Sequence, residues 1–432
     1  MPSPSASPIR LLQLMMFLQF AVYGLWLPLA ARFLSAPISD GGLGFSDGQI
    51  GYIIAVAGAV GAIASPFIAG QIADRFFSTE KFLGTLILVS GGLKFVTAYQ
   101  TSFSAWLILS MLYALFYMPT LALCNSLAMT HLNDPKQQFP AVRVWGTIAW
   151  IVVSWTFPMF WLQSNLQFQW LPPFFQGETV PLAPGRMIDS FKVSGVLSIA
   201  YGLYCWTCLP HTPPKREATQ KWAFARAFGL VRKRSFAVLL GVALPISITH
   251  FFYFMQTSKF LAARGLSDAL IMPVMSIGQF AEIAIIACLG LGLKRLGFRT
   301  VMSLGASCYA LRYFLFGSAN APLSVLIGAQ ALHGFCFAGF FAASFIYIDR
   351  IAPRDVRHSV QTVFMLVMFG LGPLIAGQLN GILSRQFSSL EGGLDYARFW
   401  NTAGAIALVA SLLFALLFRD ETRAEHAATP PE

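Results

Sequence analysis

One element recurs twelve times along this chain: an apolar run long enough to form a helix of about twenty residues, closed by polar residues, glycine or proline. A helix of that length crosses roughly 30 Å of hydrocarbon, whereas a membrane barrel would show strands of about ten residues with strict alternation. The runs lie at about 10–33, 47–72, 81–101, 104–128, 140–162, 190–208, 236–262, 267–291, 299–318, 322–348, 356–383 and 398–418. Composition agrees, with 56% hydrophobic residues and only 11% charged, against about a quarter charged in a soluble domain. A soluble chain this apolar has too few polar side chains to cover itself, so the excess faces lipid. The fold class that follows is an all-α membrane protein with twelve transmembrane helices.

A net charge of +11 would suggest a nucleic-acid partner in a soluble protein, but its placement argues against one. With the N-terminus inside, nineteen Lys and Arg fall in cytoplasmic segments and seven in external ones, with Lys94, Arg143 and Arg312 inside spans. The positive charge is a topology signal, and both termini are expected in the cytoplasm. The longest basic loop, 209–235, follows the sixth span and divides the chain evenly. The expected organisation is a six-helix bundle at 1–208, this linker, a second bundle at 236–418 and a tail at 419–432. The first run is read as a span rather than a cleaved leader ending near Ala30-Ala31, because cleavage would leave an odd number of helices.

Nothing in the chain supplies catalytic chemistry. There is no HExxH and no paired carboxylate within the spans, so an enzyme is not expected. The six cysteines lie in apolar stretches, and Cys205-x-x-Cys208 sits in a hydrophobic helix without a second ligand pair. Packing explains them better than metal or redox chemistry, and no cofactor or metal is expected.

The two halves echo each other. Gly70-x-x-x-Asp74-Arg75 closes the second span, and Gly290-x-x-x-Lys294-Arg295-x-Gly297-x-Arg299 closes the eighth. A basic, glycine-containing turn at the same place in each half is what a duplicated transporter carries. Glycines allow close helix approach, Asp74 can sit near a helix end, and the arginines can pair with carboxylates or lipid phosphates. Gly70, Asp74, Arg75, Gly290 and Arg295 therefore read as a conformational latch; plain anchoring on the basic side is the alternative.

Ionisable groups at membrane depth are costly and face a cavity or a partner. In the fifth span, Arg143, Thr147 and Trp150 fall at i, i+4, i+7 and share one face, joining a cation, a hydroxyl and an indole. Arg143 alternatively snorkels to the cytoplasmic side. Glu282 stands with Gln279 at i, i+3 in the eighth span with no Lys or Arg within ten residues, so it suits proton uptake and release. A structural hydrogen bond to another helix is the other reading. His250 and Tyr253 share a face of the seventh span, with Gln256 and Lys259 further on, and His333 and Phe337 share one in the tenth. Gln19, Tyr23 and Trp26 form a polar and aromatic stripe in the first span, and Asn125 follows Pro119-Thr120 in the fourth. Lys94 and Arg312 are expected near helix ends or paired internally.

Five segments carry a family resemblance: LQFAVYGLWLPL, YMPTLALCNSLAM, FPAVRVWGTIAW, QFAE and ALRYFLFG. In order along nearly the whole chain they resemble the bacterial nucleoside:proton symporters of the major facilitator superfamily. FP-x-x-R-x-WGT is the most specific piece. The resemblance implies the major facilitator fold, two pseudo-symmetric six-helix bundles, and a central cavity holding a nucleoside by polar residues from both halves. Arg143 and Thr147 match the family's fifth-span residues, with Trp150 in place of Phe, and Gln279 and Glu282 match its Gln-x-x-Glu. Phe337 matches an aromatic, His333 replaces a Tyr, and His250 and Tyr253 replace a Gln-x-x-Asn pair. Trp150 and Phe337 would stack on the base, and Gln279 and Glu282 would accept from the ribose.

One departure bears on coupling. The family's tenth-span aromatic is followed by an acid, with an Asn three positions later, and this chain has Ala338 and Phe341 there. Coupling then rests on Glu282 or a histidine, or is absent. The partners implied are a nucleoside, a proton and the bilayer, for a monomer in the bacterial cytoplasmic membrane. A sugar or polyol transporter, an uncoupled facilitator and a non-transporting receptor are the alternative functions.

Overall fold

Inside hydrocarbon no water satisfies the backbone, so every apolar run closes its N–H and C=O groups within itself as a helix. The computed structural model describes residues 8–68, 77–170, 172–213, 233–353, 357–388 and 393–420. The first half contains α1 (Pro8–Ser35), α2 (Asp47–Pro66), α3 (Thr79–Thr97), α4 (Phe103–His131), α5 (Pro135–Trp161) and α6 (Asp189–Thr207). The second contains α7 (Arg234–Ala263), α8 and α9 (271–296 and 298–317), α10 (Leu323–Ile351), α11 (Ser359–Gln386) and α12 (Tyr396–Leu417).

Among the described residues, nine helical segments are long and apolar enough to cross a membrane. One of them, Asp268–Gly317, holds both α8 and α9, because Gly297 at φ 79° breaks the run. The shorter α3 and α6, 19 residues each, complete the twelve. The sequence expects α8 to end near 291; the helix instead runs on to Gly297, where a left-handed backbone suits glycine.

Helix starts follow local chemistry. Ser46 and Gln49 form a reciprocal capping box ahead of α2. Ser102 Oγ accepts from the Ala105 N–H at the start of α4. Asp395 does the same for the Arg398 N–H ahead of α12. Among the described residues, wide-turn π segments interrupt the helices at Tyr52–Val56, Phe337–Ala342 and Leu366–Leu371. The second begins on Phe337, one of the candidate site residues.

The chain forms two compact units. One holds the described residues up to 213 together with Phe254–Ser276; the other holds 233–253 and the described residues from Ile277 onward. In the first unit α3 and α6 lie almost backbone to backbone. A Cβ on Gly84 would stand 2.8 Å from the Gly202 carbonyl oxygen, and one on Gly91 2.9 Å from that of Gly195. Two glycines seven apart on each helix make one antiparallel small-residue seam, the association that works without a hydrophobic driving force.

A β-hairpin stands among the helices of the described residues. Between α5 and α6, strands β1 (Gln163–Phe168) and β2 (Phe175–Thr179) pair antiparallel, with Gln163 opposite Thr179 and Phe168 opposite Phe175. Of the expected latch, Gly70, Asp74 and Arg75 lie outside the described residues, as do most of the 209–235 linker and of the 419–432 tail.

Candidate functional site

In the first unit the polar stripe of α1 is knitted into its neighbours. Gln19 donates to Thr120 Oγ1 at 2.8 Å, and its own oxygen accepts from the Cys124 thiol at 3.3 Å. The Tyr117 hydroxyl donates to the Gln19 carbonyl at 2.6 Å. Gln19 is fully buried, with both ends of its amide engaged in holding α1 to α4. Beside it the rings of Tyr23, Tyr117 and Tyr113 stack in a ladder, with centroids 5.3 and 5.2 Å apart.

The predicted stripe of α5 faces α1. Arg143 places its guanidinium 4.2 Å from the centre of the Phe20 ring, a cation–π contact, and is half-buried. Trp150 meets Tyr23 edge-on at 5.9 Å and lies over Gly24, where a Cβ would stand 3.2 Å from the indole. Thr147 is half-buried on the same face, and Asn125 stands exposed on α4.

In the second unit His250, Tyr253 and His333 come together as α7 meets α10. The ring of His333 stacks on those of His250 and Tyr253, at 5.8 and 5.1 Å. Arg312 on α9 bonds His333 Nδ1 through Nη1 at 2.9 Å and donates to the Tyr313 hydroxyl through Nη2 at 2.9 Å. A guanidinium only donates, so His333 accepts at Nδ1 and a neutral ring carries its proton on Nε2. His250 Nδ1 meets the Tyr309 hydroxyl at 3.0 Å, and the Tyr253 hydroxyl donates to Gln330 at 2.8 Å.

Glycines bring α8 against this cluster. A Cβ on Gly278 would lie 2.8 Å from that of His333, and one on Gly334 2.4 Å from the Ala281 carbonyl carbon and the Glu282 nitrogen. Glu282 therefore stands at the crossing of α8 and α10, half-buried. One turn back, Gln279 Oε1 is buried and accepts no hydrogen bond among the described residues, and the same holds of Arg312 Nε as a donor. Phe337 is half-buried with its ring 5.6 Å from Phe341. Ala338 and Phe341 are buried, and the Phe341 ring packs against His250 at 5.1 Å, so this side of the cluster is apolar.

The basic stretch 290–299 is described, and it stays helical up to Gly297. Nothing lies within 4 Å of a Cβ built on Gly290, so the absence of a side chain is not used for close packing there. Arg299 grips the Ala415 carbonyl of α12 through Nε at 2.8 Å and also through Nη2. Lys259, on the α7 stripe with Gln256, pairs with Asp47, and Arg32 forks onto both oxygens of Asp268 at 2.7 and 3.0 Å.

Two cations acquire a clear setting only in three dimensions. Lys94, in the last turn of α3, puts its ammonium 3.5 and 3.7 Å from the centres of the Trp26 and Tyr113 rings. Arg312 lies 4.5 and 4.9 Å from those of Tyr253 and Tyr313. Both are buried, both sit on the third helix of their half, and each rests on a ring from the first helix of that half. Sequence reasoning placed these cations at helix ends or in internal pairs and missed the aromatic cages. The available signal was the i, i+4 spacing of Tyr113 with Tyr117 and of Tyr309 with Tyr313.

Comparison with known proteins follows the same outline. The profile of the nucleoside H+ symporters matches residues 8–423. The chain is 30% identical over 423 residues to YegT of Escherichia coli (strain K12), covering 95% of this chain and 93% of that one. It is 26% identical to the xanthosine permease of the same organism, covering 96% and 98% of the two chains. The crystal structure of the nucleoside transporter NupG superposes with a TM-score of 0.80 over 96% of this chain and all of the other, at 21% identity.

Proposed function

The chain belongs to the nucleoside H+ symporter family, multi-pass membrane transporters of the major facilitator fold, and from that premise we propose that it imports nucleosides by alternating access, with a proton carried on Glu282. Its function is nucleoside transport rather than catalysis.

The observation that carries the residue assignment is on α8. A buried acceptor left without a partner costs about 1–3 kcal/mol, and Gln279 Oε1 is such an acceptor, one turn from a half-buried carboxylate. A ribose hydroxyl satisfies the acceptor, and the Glu282 carboxylate beside it takes up and releases the proton. Phe337 offers an aromatic face in its own unit, and Trp150, Arg143 and Thr147 offer aromatic and polar groups in theirs, of the kinds a base and sugar engage. His250, Tyr253 and His333 form the wall beside Glu282, while Gln19 holds helices together and Asn125 offers an exposed amide. Gly290 and Arg295, in the C-terminal part of α8, are the described part of the latch, with Arg299 beyond Gly297 held to α12.

The Lys and Arg asymmetry supports cytoplasmic termini in the bacterial inner membrane. The protein acts as a monomer, its two bundles joined by the 209–235 linker. Uptake of labelled uridine and adenosine into proteoliposomes under an inwardly directed proton gradient tests this reading. Accumulation above the equilibrium level supports it, and no uptake above empty vesicles across a broad nucleoside panel overturns it.

One observation favours a second reading, an uncoupled facilitator. The apolar Ala338 and Phe341 fill the interior beside His250 where the family carries an acid and an amide. Uptake that stops at equilibrium whatever the gradient identifies that case.

A further inference from the structure

The hairpin between α5 and α6 presents a row of large apolar side chains that the protein itself does not cover. Trp170 is 87% exposed and Phe168 56% exposed, and Phe174 and Phe175 are exposed as well. Among residues 163–179 there is no Lys or Arg, and Glu178 is the only charge. Beneath the hairpin lies a cleft of about 330 Å³ walled by Trp155, Thr156, Met159 and Phe174 on one side and by Leu270 and Pro273 on the other.

The chemistry of the wall indicates what the cleft accepts. The Trp155 N–H donates to Ser276 Oγ at 2.8 Å, and the Thr156 hydroxyl donates to the Val152 carbonyl at 2.9 Å. Gln163, at its edge, takes the Gly177 N–H on Oε1 at 2.7 Å. These polar groups are used within the protein, so the cleft presents hydrocarbon and aromatic faces and asks its occupant for few hydrogen bonds. A nucleoside, with hydroxyls and ring nitrogens to satisfy, fits such a wall poorly.

The cleft is continuous with the lipid-facing side of α5. Trp145, Val152, Thr156 and Phe160 recur at helical spacing and are all exposed, while the opposite face packs on α1. In a membrane-spanning helix an exposed stripe of this kind faces acyl chains. It leads past Phe160 to the mouth of the cleft, where Trp and Phe side chains stand at the end of the span, the level at which aromatic residues anchor to an interface.

We propose that this cleft is a lipid site: an acyl chain of a phospholipid in the leaflet at the hairpin end of α5 enters it, with Phe168 and Trp170 seated in the interface beside the headgroup. The proposal rests on α5 being a membrane span. Because the hairpin has no basic residue, the site is indifferent to headgroup charge. Its occupant also touches Leu270, from the segment joining α7 to α8, and Pro273 in the first turn of α8, so the lipid braces the start of α8 against the end of α5.

The full chain is reconstituted in phosphatidylethanolamine vesicles containing a lipid with a diazirine in its acyl chain, photolysed, and mapped by mass spectrometry. Adducts are expected at Met159, Phe168 or Phe174 as well as along the Val152 and Phe160 stripe. The Thr156→Trp variant, which fills the mouth, is expected to lose the cleft adducts, keep those at Val152 and retain uridine uptake. Replacing phosphatidylethanolamine by phosphatidylglycerol is expected to leave the adduct yield unchanged. Adducts on the Val152 stripe with none in the cleft overturn the lipid site alone, whereas no adducts on either overturn the reading of α5 as a span. In a second measurement, brominated lipid is expected to quench a smaller share of the fluorescence in Trp170→Phe than in the parent protein. An equal share overturns the seating of the hairpin in the interface.

Discussion

The crossing of α8 and α10 can be tested by adding a single methyl group. In Gly334→Ala the new Cβ would stand 2.4 Å from the Ala281 carbonyl carbon and the Glu282 nitrogen, where ordinary contact begins near 3.4 Å. Both obstacles are backbone, so no rotamer relieves the clash and the helices must separate by about 1 Å, the difference between those distances. Overpacking of this kind costs about 1–3 kcal/mol, and rigid backbone on the far side points to the upper end. Alanine recovers up to about 1 kcal/mol from its helix propensity, leaving a net loss of about 0–2 kcal/mol. Gly241→Ala on α7 is the matched control, since nothing lies within 4 Å of its Cβ and only the propensity gain remains. The two variants should therefore differ by about 1–3 kcal/mol, as the overpacking cost requires. Thermal unfolding in detergent reads this as a lower Tm for Gly334→Ala than for Gly241→Ala. The same displacement moves Glu282, so uridine uptake by Gly334→Ala should fall about tenfold or more. A Gly334→Ala protein as stable and as active as Gly241→Ala would refute the argument that glycine is needed at this crossing.

Further outcomes follow from the same contacts. Glu282→Gln should still take up uridine down its gradient but lose accumulation driven by a proton gradient; unchanged accumulation would move the proton to another group. For Arg32 and Asp268, a double-mutant cycle with alanine should show a coupling of about 1 kcal/mol in unfolding, because the fork is bidentate but partly exposed; additive effects would mean the pair contributes nothing. Trp155→Phe removes the hydrogen bond to Ser276 and should cost about 1 kcal/mol, measured by thermal unfolding against Trp145→Phe on the exposed face of the same helix. Gly290→Ala should leave stability level or slightly raised; a marked loss would mean the glycine is packed in another state of the transport cycle.

Much of the architecture was legible because lipid imposes a strict length and polarity rule on each span. The apolar runs, the charge asymmetry and the spacing of Arg143, Thr147 and Trp150 depend only on local sequence, and the α5 stripe indeed lies against α1. The end of α8 was misplaced because its basic residues read as a loop, whereas the backbone remains helical until Gly297 supplies the positive φ. The β1–β2 hairpin was not visible, since its strands are short and polar-aromatic rather than regularly alternating.

The twelve-span class, the charge asymmetry between its loops and the candidate residues are properties of the sequence, because each follows from composition, charge or helical period taken one segment at a time. Which candidates spend their polar groups within the protein and which keep one unsatisfied was decided by tertiary structure. Gln19 spends its amide on Thr120 and Cys124, while Gln279 keeps a buried oxygen unsatisfied, and nothing in the two local sequences separates them. The cages of Lys94 and Arg312 draw rings from helices far apart in the chain, as does the apolar cleft beneath the hairpin. Such contacts depend on which helix faces meet, and that is set by close approach at a few glycines rather than by any segment alone.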